Sequence, residues 1–303
     1  MPTTPPHWIS SENPPAAAID LSMVRRQLEA GFLSGKYGYH FPAGAAQSCR
    51  PDILDYDTSE AAAIRALIAR RCSYSGVVEL GPGDGRRAAR LIATARRWLP
   101  SSYLGLDCSA TLLDDARRRL EDIGVSARTG LWDFEQRPTA LIRDTRQRDR
   151  IVCLFLGNTL GNVESTSDVL SNIRSSLDPG DHLVISVARW KPEMPAEQHV
   201  DCYLVDGFRT AALAPLLAIG LVAEMDLSMS VEGRIIIGHA TIVSIDHVPP
   251  SLADVLVPGR RLRCFISRRF DVTALDSALK EAGFDVDSTF AASESISAIA
   301  TVR

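Results

Sequence analysis

The 303-residue sequence contains no pair of cysteines spaced C-x-x-C; its six cysteines, Cys49, Cys72, Cys108, Cys153, Cys202 and Cys264, are scattered along the chain. That pattern argues against a zinc ribbon or a disulfide framework and leads us to expect reduced thiols in a cytoplasm. No apolar run approaches the roughly 20 residues that a membrane-crossing helix needs, so no membrane partner is expected. Positive charge is not in surplus either: 33 Lys and Arg against 37 Asp and Glu leave a net charge of -4. Nucleic-acid binding is driven by clustered surplus cations, so that class of partner is not expected, and runs such as "RRR" (117–119) and "RRLR" (260–263) read as solvated faces. The start, "MPTTPPHWISSENPPAAA", has no charged segment followed by an apolar core and reads as a flexible arm. No internal repeat is visible.

What is present is an ordinary globular composition, 46% hydrophobic and 23% charged. Such a chain can bury one large α/β core, with or without a smaller partner. Spacing predicts helices over Leu21–Leu33 and Ser59–Arg71, separated by the aromatic loop "SGKYGYHFPAG" (Ser34–Gly44). Short apolar runs then alternate with amphipathic helices. Strands are predicted at Gly76–Leu80, Tyr103–Asp107, "VSART" (125–129), Ile151–Leu156 and His182–Val187. Helices are predicted over Arg86–Leu99 and from a Ser109 cap to about Asp122. Repeated strand–helix units imply a doubly wound, mostly parallel, Rossmann-like sheet, because parallel strands need long right-handed crossovers. The order weakens after Trp190, where a helix in "GFRTAALAPLLAIG" precedes two β-rich runs, "RIIIGHATIVSI" and "LRCFIS", as in an inserted α+β lobe. A helix over Val272–Ala282 and a strand "SISAIATVR" then rejoin the sheet. The divisions expected are 1–58 (arm and part of the lobe), 59–189 (nucleoside-binding domain), 190–270 (inserted lobe) and 271–303 (completion of the sheet).

Three strand ends carry ligand chemistry. "VVELGPGDG" (Val77–Gly85) is a strand, a Gly-rich loop and a helix start, and offers close backbone approach and free N–H groups through Gly81, Gly83 and Gly85, beside Glu79. A dinucleotide fingerprint wants a small residue five positions after Gly81; Arg86 stands there, which disfavours a dehydrogenase. Asp107 ends the next strand, 28 residues after Glu79, where a carboxylate accepts from both ribose hydroxyls. By itself Asp107 could equally cap a helix beside Ser109. The third strand runs into "WDFE", where Asp133 could accept from an exocyclic adenine amine and Phe134 cover a ring face. Gly loop, Asp and Asp-Phe together describe a nucleoside bound without a diphosphate, the signature of S-adenosyl-L-methionine.

The set "ELGPGDG", "YLGLDCS", "WDFE", "FLGNTLGN" and "LDPGDHLVIS" resembles the histidine-specific Nα-methyltransferases of ergothioneine biosynthesis, class I methyltransferases, and their relatives acting on other amino acids. The resemblance covers the chain from about Lys36 to the C-terminus. It implies that Gly157 lies by the cofactor and that Asn162 holds the acceptor's backbone groups. "KYGYHF" is similar to that family's "KYFY" element and offers Tyr39 as a substrate contact; Tyr56 and Tyr203 resemble two further family tyrosines. The glycines of "FLGNTLGN", Gly157 and Gly161, read as clearance for the cofactor, and Asn158 as a support of loop backbone.

One departure is informative. Where the family carries "RTExS", whose Glu and Ser read imidazole, this sequence has "RCFIS": Ser267 is kept and Phe265 replaces the Glu. A phenyl ring accepts no hydrogen bond from a ring nitrogen, at a cost of about 1–3 kcal/mol, so a less polar or aromatic acceptor side chain is expected rather than histidine. The expected activity is methyl transfer from S-adenosylmethionine to the α-amine of a small amino acid or derivative in a biosynthetic setting, with Tyr39 and Asn162 orienting the amine. O- or C-methylation of a specialised metabolite, and a non-catalytic S-adenosylmethionine-binding protein, are the alternatives.

Overall fold

The computed structural model describes residues 19–40, 56–70, 72–95, 102–146, 149–204 and 207–303. The N-terminal arm, the end of the aromatic loop, Cys49 and the last turn expected for the helix ending at Leu99 lie outside the described residues.

Seven strands form the main sheet: β1 (Tyr74–Leu80), β2 (Tyr103–Asp107), β3 (Ala127–Leu131), β4 (Arg150–Phe155), β5 (His182–Ala188), β9 (Phe284–Ala291) and β10 (Ser295–Val302), in the order β3-β2-β1-β4-β5-β10-β9. The first five are parallel and β10 runs antiparallel to both of its neighbours, so the mostly parallel, doubly wound sheet is borne out. Its central strands are apolar on both faces, as the pattern RIVCLF in β4 requires when helices cover each side. Among those helices, α2 (Asp57–Ala69), α3 (Arg86–Ala95), α4 (Ala110–Asp122) and α6 (Thr166–Ser176) matter for the site; α5 (Leu141–Thr145) is a short turn. Helix α2 lies against β10, where Ser59 Oγ meets Ser295 Oγ at 2.7 Å and Ser297 Oγ at 2.8 Å. Small residues on β10 permit that approach.

The lobe holds α7 (Gln198–Asp201), α8 (Phe208–Ala218) and an antiparallel sheet of β6 (Val222–Glu232), β7 (Ile235–His247) and β8 (Arg261–Arg268). Helix α1 (Leu21–Glu29) and the 3-10 turn Gly35–His40 share its core: Val24, Leu28, Leu33 and Tyr37 pack with Leu216, Ile242 and Leu262. Helix α9 (Val272–Glu281) returns the chain to β9.

Two strands were not legible in the sequence. β6 alternates exposed Glu and Asp with half-buried residues and pairs along its whole length with β7, which tertiary pairing rather than apolar content decides. β9, "FDVDSTFA", is an edge strand of the same polar kind. The third strand starts two residues later than expected, at Ala127, because Tyr103 pairs with Ala127. Helix α1 stops at Glu29, capped at Ala30, and Phe32 instead bridges to Arg263 of β8.

Candidate active site

The sheet order reverses between β1 and β4, which is where an open parallel sheet leaves a crevice at its strand ends. A cavity of about 420 Å3 occupies it, walled by the main sheet on one side and by the 3-10 turn, α8 and β8 on the other. Every residue expected at the site borders this cavity except Glu79, Gly85 and Gly161.

The first two are corrections with physical reasons. Glu79 is buried beneath the loop and accepts from Tyr103 Oη at 2.6 Å; burial pushes its carboxyl up to about 7, against the pull of that hydroxyl. Gly85, at φ 78°, packs on α4, and a Cβ there would lie 2.7 Å from Ala116 Cα. The close helix packing that a dinucleotide fingerprint assigns to a later small residue is thus performed by Gly85 itself.

Asp107 sits at the end of β2 and faces the cavity, 6% exposed. Burial raises its carboxyl to about 6, opposed by the Ser109 N–H at 3.0 Å and by the Gly83 and Cys108 backbone. Among the described residues it has no cationic partner, so it is a buried acceptor facing the space where hydroxyl donors would fit. Ser109 also caps α4 through Leu112 N, so Asp107 and the cap are adjacent devices rather than alternatives. Asp133 is already engaged: Lys36 Nζ and Gln136 Nε2 both donate to its Oδ2 at 2.8 Å, and Glu135 N donates to its Oδ1. Burial pulls the Lys36 ammonium down, but Glu135 and Asp133 together hold it above its ordinary value. Phe134 meets Phe155 edge-on, with centroids 5.3 Å apart.

"FLGNTLGN" divides its labour. Gly157, at φ 71°, borders the cavity. Gly161 does not: a Cβ there would meet Arg268 O and Asn158 within 2.4 Å, so this glycine clears the backbone of β8, not a cofactor. Asn158 accepts from Ala188 N at 2.9 Å and donates to Ser267 Oγ at 2.9 Å and Arg268 O at 3.3 Å, which ties β5 to β8. Asn162 borders the cavity and accepts a 3.4 Å contact from Asn158.

On the lobe side, Phe265 and Ser267 stand two residues apart on β8, so strand alternation presents both to one face, and both line the cavity. Ser267 is buried and shared between Asn158 and Tyr203 Oη, the latter at 2.7 Å. Tyr203, Phe208 and Phe265 form an aromatic cluster with centroids 4.9–5.3 Å apart. Burial holds the Tyr56 and Tyr203 phenols above their ordinary value, hence protonated. Tyr39 borders the same space, and its carbonyl accepts from Ser109 Oγ at 2.9 Å.

Three lining residues were not singled out by any motif. Lys36 opens the "KYGYHF" element, Arg87 is one of the arginines of the helix that starts at Arg86, and Phe208 lies in the "GFRTAALAPLLAIG" helix, none with an expected role at the site. Among the described residues no histidine lines the cavity and no group of side chains could hold a metal ion. No described helix is long and apolar enough to cross a membrane.

Residues 55–198, just under half of the chain, match the sequence profile of a family described as histidine-specific, SAM-dependent methyltransferases. Comparison with curated protein sequences returns no match. Among solved structures, a DhpI–SAH complex is similar over 91% of this chain and 97% of that one, with a TM-score of 0.50 and 15% identity. An S-adenosylmethionine-dependent methyltransferase from Clostridium acetobutylicum ATCC 824 is similar over 82% of this chain and 92% of that one, with a TM-score of 0.48 and 10% identity. The sugar N-methyltransferase KedS8 from Streptoalloteichus sp ATCC 53650 is similar over 82% and 88%, with a TM-score of 0.45 and 13% identity. At identities this low, likeness speaks for fold alone, while the matched segment contains the Gly loop, Asp107 and Gly157. The chain is an S-adenosylmethionine-dependent methyltransferase of the Rossmann-like class I fold, and its residues 55–198 are similar to the histidine-specific methyltransferase family.

Proposed function

We propose that this chain methylates the α-amine of an amino acid, or a close derivative, whose side chain is aromatic or aliphatic rather than imidazole. The observation that carries the reading is the placement of Phe265: it lies on the cavity face of β8 beside Ser267, packed with Phe208 and Tyr203, where an imidazole would need a carboxylate. An imidazole N–H directed at that wall forgoes a hydrogen bond worth about 1–3 kcal/mol, whereas an aromatic or aliphatic side chain forgoes nothing.

When bound, S-adenosylmethionine supplies a methyl group on a positively charged sulfonium. The residues that fit it are Asp107 for the ribose hydroxyls, Asp133 and Phe134 for the adenine, and Gly81, Gly83 and Gly157 for close backbone approach. On the acceptor side, Asn162, Tyr39, Tyr56 and Tyr203 orient the amine. An α-amine has an ordinary pKa of about 7.7–8.0, so a useful fraction carries a free lone pair at neutral pH. The protein's task is then alignment and exclusion of water, and protonated phenols suit it as hydrogen-bonding groups.

The test is incubation with S-adenosylmethionine and a panel of amino acids, read by mass spectrometry. A methylated aromatic or aliphatic amino acid is expected. Methylation of histidine as efficiently as of any other member of the panel overturns the reading of Phe265.

A further inference from the structure

Behind the cavity wall, outside every motif considered so far, lies the carboxylate of Glu60 on α2, fully buried. Arg87 Nη1 donates to both of its oxygens, at 2.8 and 2.9 Å. The backbone N–H of Gly157 donates to Oε1 at 3.0 Å and to Ser186 Oγ at 2.7 Å, and Ser186 Oγ in turn donates to the same Oε1. One carboxylate therefore joins four elements: α2, α3, the end of β4 and β5. The Glu60 N–H also closes the first turn of α2 on Tyr56 O at 3.0 Å, and the Arg87 guanidinium lies 5.2 Å from the Tyr56 ring centre. Arg87, Gly157 and Tyr56 all border the cavity, whereas Glu60 does not.

We propose that Glu60 is a positioning residue of the methyl-transfer site, fixing Gly157 and Arg87 on the donor side and Tyr56 on the acceptor side as one unit. The proposal rests on the reading above that Gly157 borders the donor and Tyr56 the acceptor. A packing role alone would be met by any group of the same shape. Glutamine has that shape but presents an N–H2 to a guanidinium that needs an acceptor, so Glu60→Gln separates the two roles.

The probe is S-adenosylhomocysteine, titrated by calorimetry into the wild-type chain, Glu60→Gln, Arg87→Met and the double variant, well below each melting midpoint. We expect Glu60→Gln to weaken binding about tenfold, and the double variant to resemble the weaker single variant instead of multiplying the two losses. In turnover, Glu60→Gln is expected to raise the acceptor KM as well. Wild-type affinity in Glu60→Gln, or losses that simply multiply, overturns the proposal even if melting is lowered. Should Glu60→Gln not fold, Ser186→Ala removes the shared hydroxyl and is expected to weaken binding about threefold; unchanged affinity there overturns the proposal. A wild-type chain that binds no S-adenosylhomocysteine overturns the underlying donor-site reading, and the proposal with it.

Discussion

The side of the cavity proposed for the donor stands on the ends of the parallel strands β1, β2 and β4, while the side proposed for the acceptor is carried by antiparallel β8, α8 and the 3-10 turn. On the first, polar groups come from backbone and short acidic side chains at strand ends: the Gly81–Gly85 loop, Asp107 and Asp133. On the second, they are phenols and amides set among rings: Tyr39, Tyr203, Phe208 and Phe265. Parallel strand ends deliver several loops to one point, so the donor side varies little in construction once the sheet is formed. A two-residue alternation on one lobe strand decides which side chains face the cavity from the other side, so a single replacement there alters that wall without disturbing the sheet. Asn158 joins the two sides by bonding β5 and β8 simultaneously.

Five measurements break or sharpen this contrast. The largest effect is expected from Asp107→Ala, which removes a charge-assisted acceptor and should weaken S-adenosylhomocysteine binding about a hundredfold while leaving the acceptor preference unchanged. The same residue gives a pH signature. With its carboxyl raised to about 6 by burial, it binds a proton below that pH and loses its strongest accepting form. Donor affinity should therefore fall as pH drops from 7 to 5, by at most about tenfold per unit, and Asp107→Asn should flatten the profile. Titrations across that range that are flat for the wild-type chain place the ribose elsewhere.

Next is Phe265→Glu, expected to raise kcat/KM for histidine about 10–100-fold and lower it for the preferred acceptor, with donor affinity within about twofold of wild type. No gain for histidine would detach Phe265 from specificity. Asn162→Ala should raise the acceptor KM about tenfold, the loss of about 1.4 kcal/mol, with donor affinity unchanged; a drop in donor affinity instead would move Asn162 across the cavity. The smallest effect belongs to Lys36→Met. Lys36 and Asp133 form a half-buried pair, with side chains 14% and 21% exposed, that links the aromatic loop to the end of β3. A two- to threefold rise in the donor KM is expected, and a larger loss in acceptor turnover would show that the pair serves the lobe more than the adenine.

Much of the strand-end wall of the cavity was legible because its signals are local. A Gly-rich loop after an apolar strand, and an acidic residue ending the next strand, occupy fixed places in a strand–loop–helix unit. Glu79 and Gly85 shared that local pattern and were misread, since whether a residue faces the cavity or the layer beneath depends on Tyr103 and Ala116, remote in sequence. Gly161 was misread for the same reason, its neighbour being the carbonyl of Arg268. β6 and β9 went unread because partners, not apolar content, make them strands.

By itself, the sequence determined the alternation of strands and helices, hence a doubly wound sheet, and the chemical character of its strand ends. Periodicity and turn chemistry act over a few residues and survive without a partner in view. Only the tertiary structure decided that Phe208, Tyr203 and Phe265 meet, that Lys36 reaches Asp133, and that Glu60 holds Gly157 and Arg87 together. Most of those contacts join residues tens to about a hundred positions apart, and the register of one strand or the pitch of one helix sets whether they form at all.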